Sequence, residues 1–167
     1  MAFPRQVRQG FTLVELLLVI GIIAILAAII LVAVDPPKRF AQARDARRAG
    51  EVYSILNAIL NYMSDNVGAV PDGLDNFVSS SQQLGSGASG CSLGCGPAGT
   101  VVDQCLNLAP YLVDEFIAAI PTDPKGTNGT VTYDALRTGY YVNRSANNRI
   151  TVGACNPERV STITVQR

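Results

Sequence analysis

Residues 10–34 read GFTLVELLLVIGIIAILAAIILVAV, and the rest of the chain is arranged around them. Within this stretch residues 16–34 form nineteen uncharged, mostly aliphatic positions in a row, with Glu15 at their edge. A helix of that length is about 28 Å long at about 1.5 Å per residue, close to the hydrocarbon thickness of a bilayer. The stretch therefore reads as a membrane-spanning helix. A carboxylate at the mouth of such a helix is costly and calls for a partner or a task. Part of that cost is offset by the helix start, where unpaired backbone N–H groups favour a negative side chain. The remainder calls for a cation, and the nearest are Arg5 and Arg8 in the head of the chain. Cutting between Gly10 and Phe11 would create a closer one. The new amino group of Phe11 would lie one turn from Glu15, and a neighbouring copy could supply it.

The run Gly10-Phe11-Thr12-Leu13-Val14-Glu15-Leu16-Leu17, after a short basic head, resembles the N-terminal signature of type IV pilins and of the related pseudopilins of type II secretion. The resemblance implies that a prepilin peptidase cuts after Gly10 and methylates the amine of Phe11. It also implies that Glu15 pairs with a Phe11 amine in a growing filament and sets its register. Two plainer readings fit less well. A secretory signal peptide has an apolar core of about 7 to 15 residues and a small-residue cleavage site, and neither describes residues 16–36. A simple membrane anchor accounts for the length but leaves Gly10 and Glu15 without a role.

Outward from this stretch, the chain divides into a leader (1–10), a membrane or filament-core helix (11–35), an amphipathic helical half (36–66) and a globular head (67–167). Asp35-Pro36-Pro37 predicts a kink or local unwinding, because the residue before a proline is biased away from helix and proline lacks the N–H donor. The same residues suit a new helix start, with Asp35 as N-cap. Phe40, Val52, Ile55, Leu56, Ile59, Leu60 and Met63 are read as one apolar stripe that packs on the head. Taken from Phe11, the helical region covers 56 residues, roughly 80 Å if straight. A rod with half its length apolar needs a membrane or other copies of itself. Gly68 ends it, and Val70-Pro71-Asp72-Gly73-Leu74 reads as a turn.

Charge is balanced at 13 basic and 13 acidic residues. Losing residues 1–10 leaves eleven basic against thirteen acidic, and nothing in that balance suggests a nucleic-acid partner. Residues 38–48 are locally basic, carrying Lys38, Arg39, Arg44, Arg47 and Arg48 against Asp45. They read first as a solvated helix face, and second as a contact for lipid head groups or an acidic neighbour. Basic residues on both flanks of the span leave the charge rule for membrane orientation undecided.

The four cysteines, Cys91, Cys95, Cys105 and Cys155, suit two disulfides in an exported domain. The expected pairing is Cys91 with Cys95 and Cys105 with Cys155, with Cys95–Cys105 as its rival. A four-thiolate zinc site lacks the C-x-x-C pairs it needs. The chain has no histidine, which removes the commonest general base and the Ser-His and Cys-His arrangements. No enzyme is expected, and no cofactor.

Residues 79–100 are Ser/Gly-rich and too poor in apolar groups to form core on their own, so the disulfides are expected to hold them. Leu108, Leu112, Phe116 and Ile120, at a spacing of four, predict a short core-packing helix or helical turn over 106–120. Residues 130–134, 138–143, 149–153 and 159–165 predict a small antiparallel sheet on the amphipathic helix, an α+β fold. The phrases LNYMSDN, IPTDPKG, GYYVN and ITVGAC are similar to the heads of pseudopilins. Members of that group often hold calcium late in the head; here the acids Asp123, Asp134 and Glu158 are sparse, so no metal is expected and calcium is the alternative. Asn128 and Asn143 fit the short glycosylation pattern. The glycines of 85–99 have no P-loop lysine.

The reading is a precursor held in the cytoplasmic membrane by one span, then polymerised with itself by an assembly platform into an extracellular type IV pilus. Its alternatives are a major pseudopilin of type II secretion and, less well supported, a membrane-anchored binding module.

Overall fold

The computed structural model describes residues 10–75, 81–91, 95 and 103–167. Two compact units emerge, Met1–Phe40 and Ala41–Arg167. The first holds α1 (Leu13–Val34), which is exposed along its whole length. Thr12 caps it from an extended conformation, and a run of aliphatic residues carries it to Val34. It stops where expected. Asp35 adopts a left-handed conformation at φ 48°, and its carbonyl accepts from the N–H groups of Lys38 (3.1 Å) and Arg39 (3.2 Å). Pro36 and Pro37 supply no N–H at that point, so they open α2 (Pro36–Asp65) without forfeiting a hydrogen bond.

Within the second unit, α2 supplies the stripe. Val52, Ile55, Leu56 and Ile59 are at most 1% exposed, and burying each is worth about 1.5–3 kcal/mol. Leu60 and Met63 pack against the same cluster. Phe40 does not belong to the stripe and is exposed: twelve residues before Val52, it lies about 120° round the helix. Ala41, Asp45 and Arg48 occupy the buried positions instead. The helix ends in a Schellman-type turn, with Gly68 N–H donating to the Met63 carbonyl at 2.7 Å. Its left-handed position falls on Val67 (φ 55°), one residue before the glycine.

The main sheet is antiparallel, with strand order β1-β4-β5-β6, where β1 is Gln82–Gln83, β4 Tyr140–Arg144, β5 Ile150–Ala154 and β6 Thr164–Gln166. Tyr140, Val142, Ile150, Val152 and Ala154 alternate onto one face and join α2 in the core. The strand expected at 130–134 pairs elsewhere. β2 (Thr127–Asn128) and β3 (Val131–Thr132) form a separate hairpin, turned through Gly129 at φ 61°. The α+β architecture is the expected one.

Residues 79–80, 92–94 and 96–100 of the Ser/Gly stretch lie outside the described residues; the described part joins a core that other elements build, since β1 extends the sheet, Leu84 is 1% exposed, and Leu106 N–H donates to the Gln83 carbonyl at 2.8 Å. One buried leucine in register with a neighbouring strand suffices, and average composition hides it. Of the short helix or helical turn expected over 106–120, the turn forms as α3 (Ala109–Leu112) and goes no further, because Val113 is extended and Asp114 left-handed at φ 72°. Leu108 and Leu112 are nevertheless buried, and Phe116 and Ile120 pack beside them.

Candidate functional site

At the start of α1, Thr12 and Glu15 form a reciprocal capping box. Glu15 N–H donates to Thr12 Oγ1 (3.2 Å), while Thr12 N–H (2.9 Å) and Thr12 Oγ1 (2.7 Å) both donate to Glu15 Oε2. The sequence supplies this through Thr-x-x-Glu directly before an apolar run. Only one carboxylate oxygen is used in these bonds; Oε1 takes no part in them. Gly10 and Phe11 precede the helix and are exposed, Phe11 by 82%. A Cβ placed on Gly10 would meet nothing within 4 Å. The fold itself makes no demand for glycine there.

A family model, the prokaryotic N-terminal methylation motif, matches residues 5–31. The chain carries the signature of type IV pilins and pseudopilins. No curated protein and no solved structure matches the chain. The signature is that of structural subunits rather than enzymes, and with the apolar α1 it fits a membrane-anchored precursor.

The head of this pilin-signature chain contains a second polar constellation that sequence reading missed. Arg48 has a fully buried side chain and reaches three carboxylates. It donates through Nε and Nη2 to the two oxygens of Asp123, both at 2.8 Å, and through Nη1 to Asp45 (2.7 Å) and Glu158 (3.0 Å). Arg44 grips Glu158 with a second fork at 2.6 Å. Asp45 also accepts from the backbone N–H groups of Glu158 (3.0 Å) and Arg159 (2.7 Å). Three carboxylates thus face two guanidiniums, joining α2 to the loops at 123 and 156–159.

The electrostatics follow from those contacts. Glu158 is held down to about 2, chiefly by the Arg44 fork; burial, the next influence, pushes the other way, and Arg48 adds to the lowering. For Asp45, burial is the largest single influence and opposes ionisation, but the two backbone donors and Arg48 outweigh it and its pKa is lowered. Burial likewise pulls Arg48 down, and Asp123, Glu158 and Asp45 together push it up. One turn along, Glu51 accepts from Arg47 (2.8 Å) and from the Tyr140 hydroxyl. Burial and then Glu51 raise the Tyr140 hydroxyl.

Residues 38–48 are therefore not simply a solvated basic face. Arg44 and Arg48 are neutralised by acids 75 to 114 residues away, beyond the reach of a charge count in a local window. The signal was nonetheless present: Asp45, Arg48 and Val52 follow at helical spacings of three and four, on the buried stripe. Of the acids weighed for calcium, Asp123 and Glu158 belong to this network. Asp134 accepts from the N–H groups of Leu136 (2.8 Å) and Arg137 (3.2 Å) in its own turn.

The cysteine pairing also differs from expectation. Cys91 bonds Cys105, and Cys95 bonds Cys155, with Cα separations of 5.2 and 4.6 Å. Backbone pairing explains the first: Cys105 N–H donates to the Gly87 carbonyl, and Cys91 N–H to Asp103, bringing those two segments side by side. The second ties the loop to the end of β5, next to the Glu158 turn.

Proposed function

We propose that this chain is the repeating subunit of a type IV pilus, made as a single-span precursor in the cytoplasmic membrane. A prepilin peptidase removes residues 1–10 and methylates Phe11, and an assembly platform then draws residues 11–35 into the fibre core. The observation that carries this reading is the start of α1. A glycine for which the fold has no use stands beside an exposed Phe11, four residues before a carboxylate with one oxygen outside the capping box. The exposed length of α1 supports polymerisation, since an apolar helix with no buried residue must be covered by lipid or by other copies. Glu15 then serves register rather than bulk stability, the use of buried ion pairs that is best attested.

The alternative, a major pseudopilin, shares every step up to assembly. The two disulfides and the engagement of Asp123 and Glu158 by arginines support the surface pilus. Mass spectrometry of the mature N-terminus tests the processing step: it should begin at methylated Phe11, and an intact Met1 start refutes it. Glu15→Ala should remain inserted and cleavable yet lose fibres by electron microscopy. Normal fibres from that variant would remove Glu15 from assembly.

A further inference from the structure

We infer that the head carries a binding cleft for a neutral sugar, walled by the turn after α2, residues 104–107 and α3. The cleft encloses about 290 Å³, close to the lower edge of small-ligand sites, about 300–1,000 Å³. Asp72, Gln104, Asn107 and Tyr111 all line it, together with Leu106 and Pro110. None of the described residues that line it is basic. A neighbouring cavity of about 280 Å³ shares Leu106 and Asn107 but offers little polar chemistry. Its Ser86 and Thr138 hydroxyls are spent on the carbonyls of Ala135 (3.2 Å) and Leu84 (2.8 Å).

The polar groups of the first cleft keep capacity for a ligand. Among the described residues Asp72 accepts only from the Tyr111 hydroxyl, through Oδ2 at 3.4 Å, so Oδ1 is left over. Asn107 Oδ1 is taken by the Ala109 N–H at 3.1 Å, which orients the carboxamide and leaves its two N–H donors. Gln104 is exposed, and its carboxamide makes no hydrogen bond among the described residues. The frame around these groups is fixed. Gln82 clamps the turn, donating to the Gly73 carbonyl (2.8 Å) and accepting from the Asp75 N–H (3.0 Å). Gly73, at φ 85°, lies where a Cβ would come within 3.1 Å of Leu106, so this wall stays thin. Cys105 is bonded to Cys91, and the Tyr111 ring meets Tyr62 edge-on at 6.0 Å. A cleft held in this way binds without first ordering its walls.

This chemistry selects the ligand. A carboxylate with no basic neighbour in the cleft repels acids and phosphates, which disfavours nucleotides and acidic sugars. A pyranose presents adjacent hydroxyls that each donate and accept. Asp72 accepts from such hydroxyls in charge-assisted bonds, while Asn107 and Gln104 donate N–H groups to their oxygens. The partly buried Tyr111 adds an apolar ring with a polar tip, suited to the C–H groups and hydroxyls of a sugar. An ammonium ligand would use the carboxylate and leave both carboxamides idle. The volume suits a mono- or disaccharide unit.

The inference needs the filament reading only for where the head meets sugar, so it is tested on the purified full chain. The detergent is a polyoxyethylene ether, which carries no sugar of its own. Maltose, cellobiose, lactose and N,N′-diacetylchitobiose are titrated singly by saturation-transfer NMR. At least one should bind, and glucuronic acid and lysine amide should not. For the disaccharide that binds, Asp72→Ala should raise the dissociation constant by about tenfold or more, the loss of a charge-assisted contact. Gln104→Ala should raise it by about threefold or more, the loss of a neutral hydrogen bond. Binding by none of the four, equal binding of glucuronic acid or lysine amide, or an unchanged constant in either variant overturns the assignment. If Asp72→Ala loses its native disulfides, Gln104→Ala alone decides, because that exposed side chain makes no hydrogen bond among the described residues. Failure of fibre assembly would leave all of these results untouched.

Discussion

α1 has 22 residues and buries none, whereas α2 has 30 and buries eight, two of them charged. The contrast extends to their carboxylates. Glu15 engages one oxygen with Thr12 three residues away, while Asp45 and Arg48 reach partners 75 to 114 residues along the chain. α1 is capped at its start and buries no residue. α2 is covered by its own head, and its charges are matched only because that head has folded. The difference teaches that helical order and a satisfied environment are separate requirements: one is met locally, the other by a bilayer, by neighbouring copies or by a core.

The largest break in this contrast should come from Arg48→Met. It strands Asp123, whose side chain is fully buried, and should destabilise the head by about 3–5 kcal/mol in denaturant unfolding of the full chain. Adding Asp123→Asn should recover part of the loss; no recovery would show that the pair is not coupled. Glu15→Gln in α1 should leave the same measurement unchanged. Next, removing Cys95–Cys155 frees a loop of 60 residues and removing Cys91–Cys105 frees one of 14. Loop-closure entropy puts the two losses at about 4 and about 3 kcal/mol, so the longer bridge should matter more.

A smaller effect concerns acid. Glu158 is held from 4.5 down to about 2. An acid depressed on folding contributes stability that is fully present above its unfolded value and fades as pH falls toward its folded one, here from about 4.5 to about 2. Unfolding followed over that window should show a decline that Glu158→Gln flattens. The smallest change is at the end of α2. Val67 is β-branched, left-handed and 98% exposed, so Val67→Gly should stabilise the head by about 1 kcal/mol, and a loss would mean that the turn is not strained.

Much of this could be read in advance wherever cause and effect are close in sequence. Thr12 and Glu15, the Asp35-Pro36-Pro37 interruption, the stripe from Val52 to Ile59 and three sheet strands all follow from spacings of a few residues. Phe40 falls off the stripe because its twelve-residue offset from Val52 carries it about 120° round the helix. β1 was missed because a two-residue strand in a Ser/Gly stretch carries no period of its own.

What the residues determined unaided is the α1 segment: its span, its cap, its unneeded Gly10 and the carboxylate at its mouth, all consequences of helical geometry acting over one or two turns. Tertiary structure alone decided how the cysteines pair and that Arg48 lies at the centre of three carboxylates. Those outcomes depend on strand register and loop closure across scores of residues, where many partners are chemically equivalent until the core places one of them within reach.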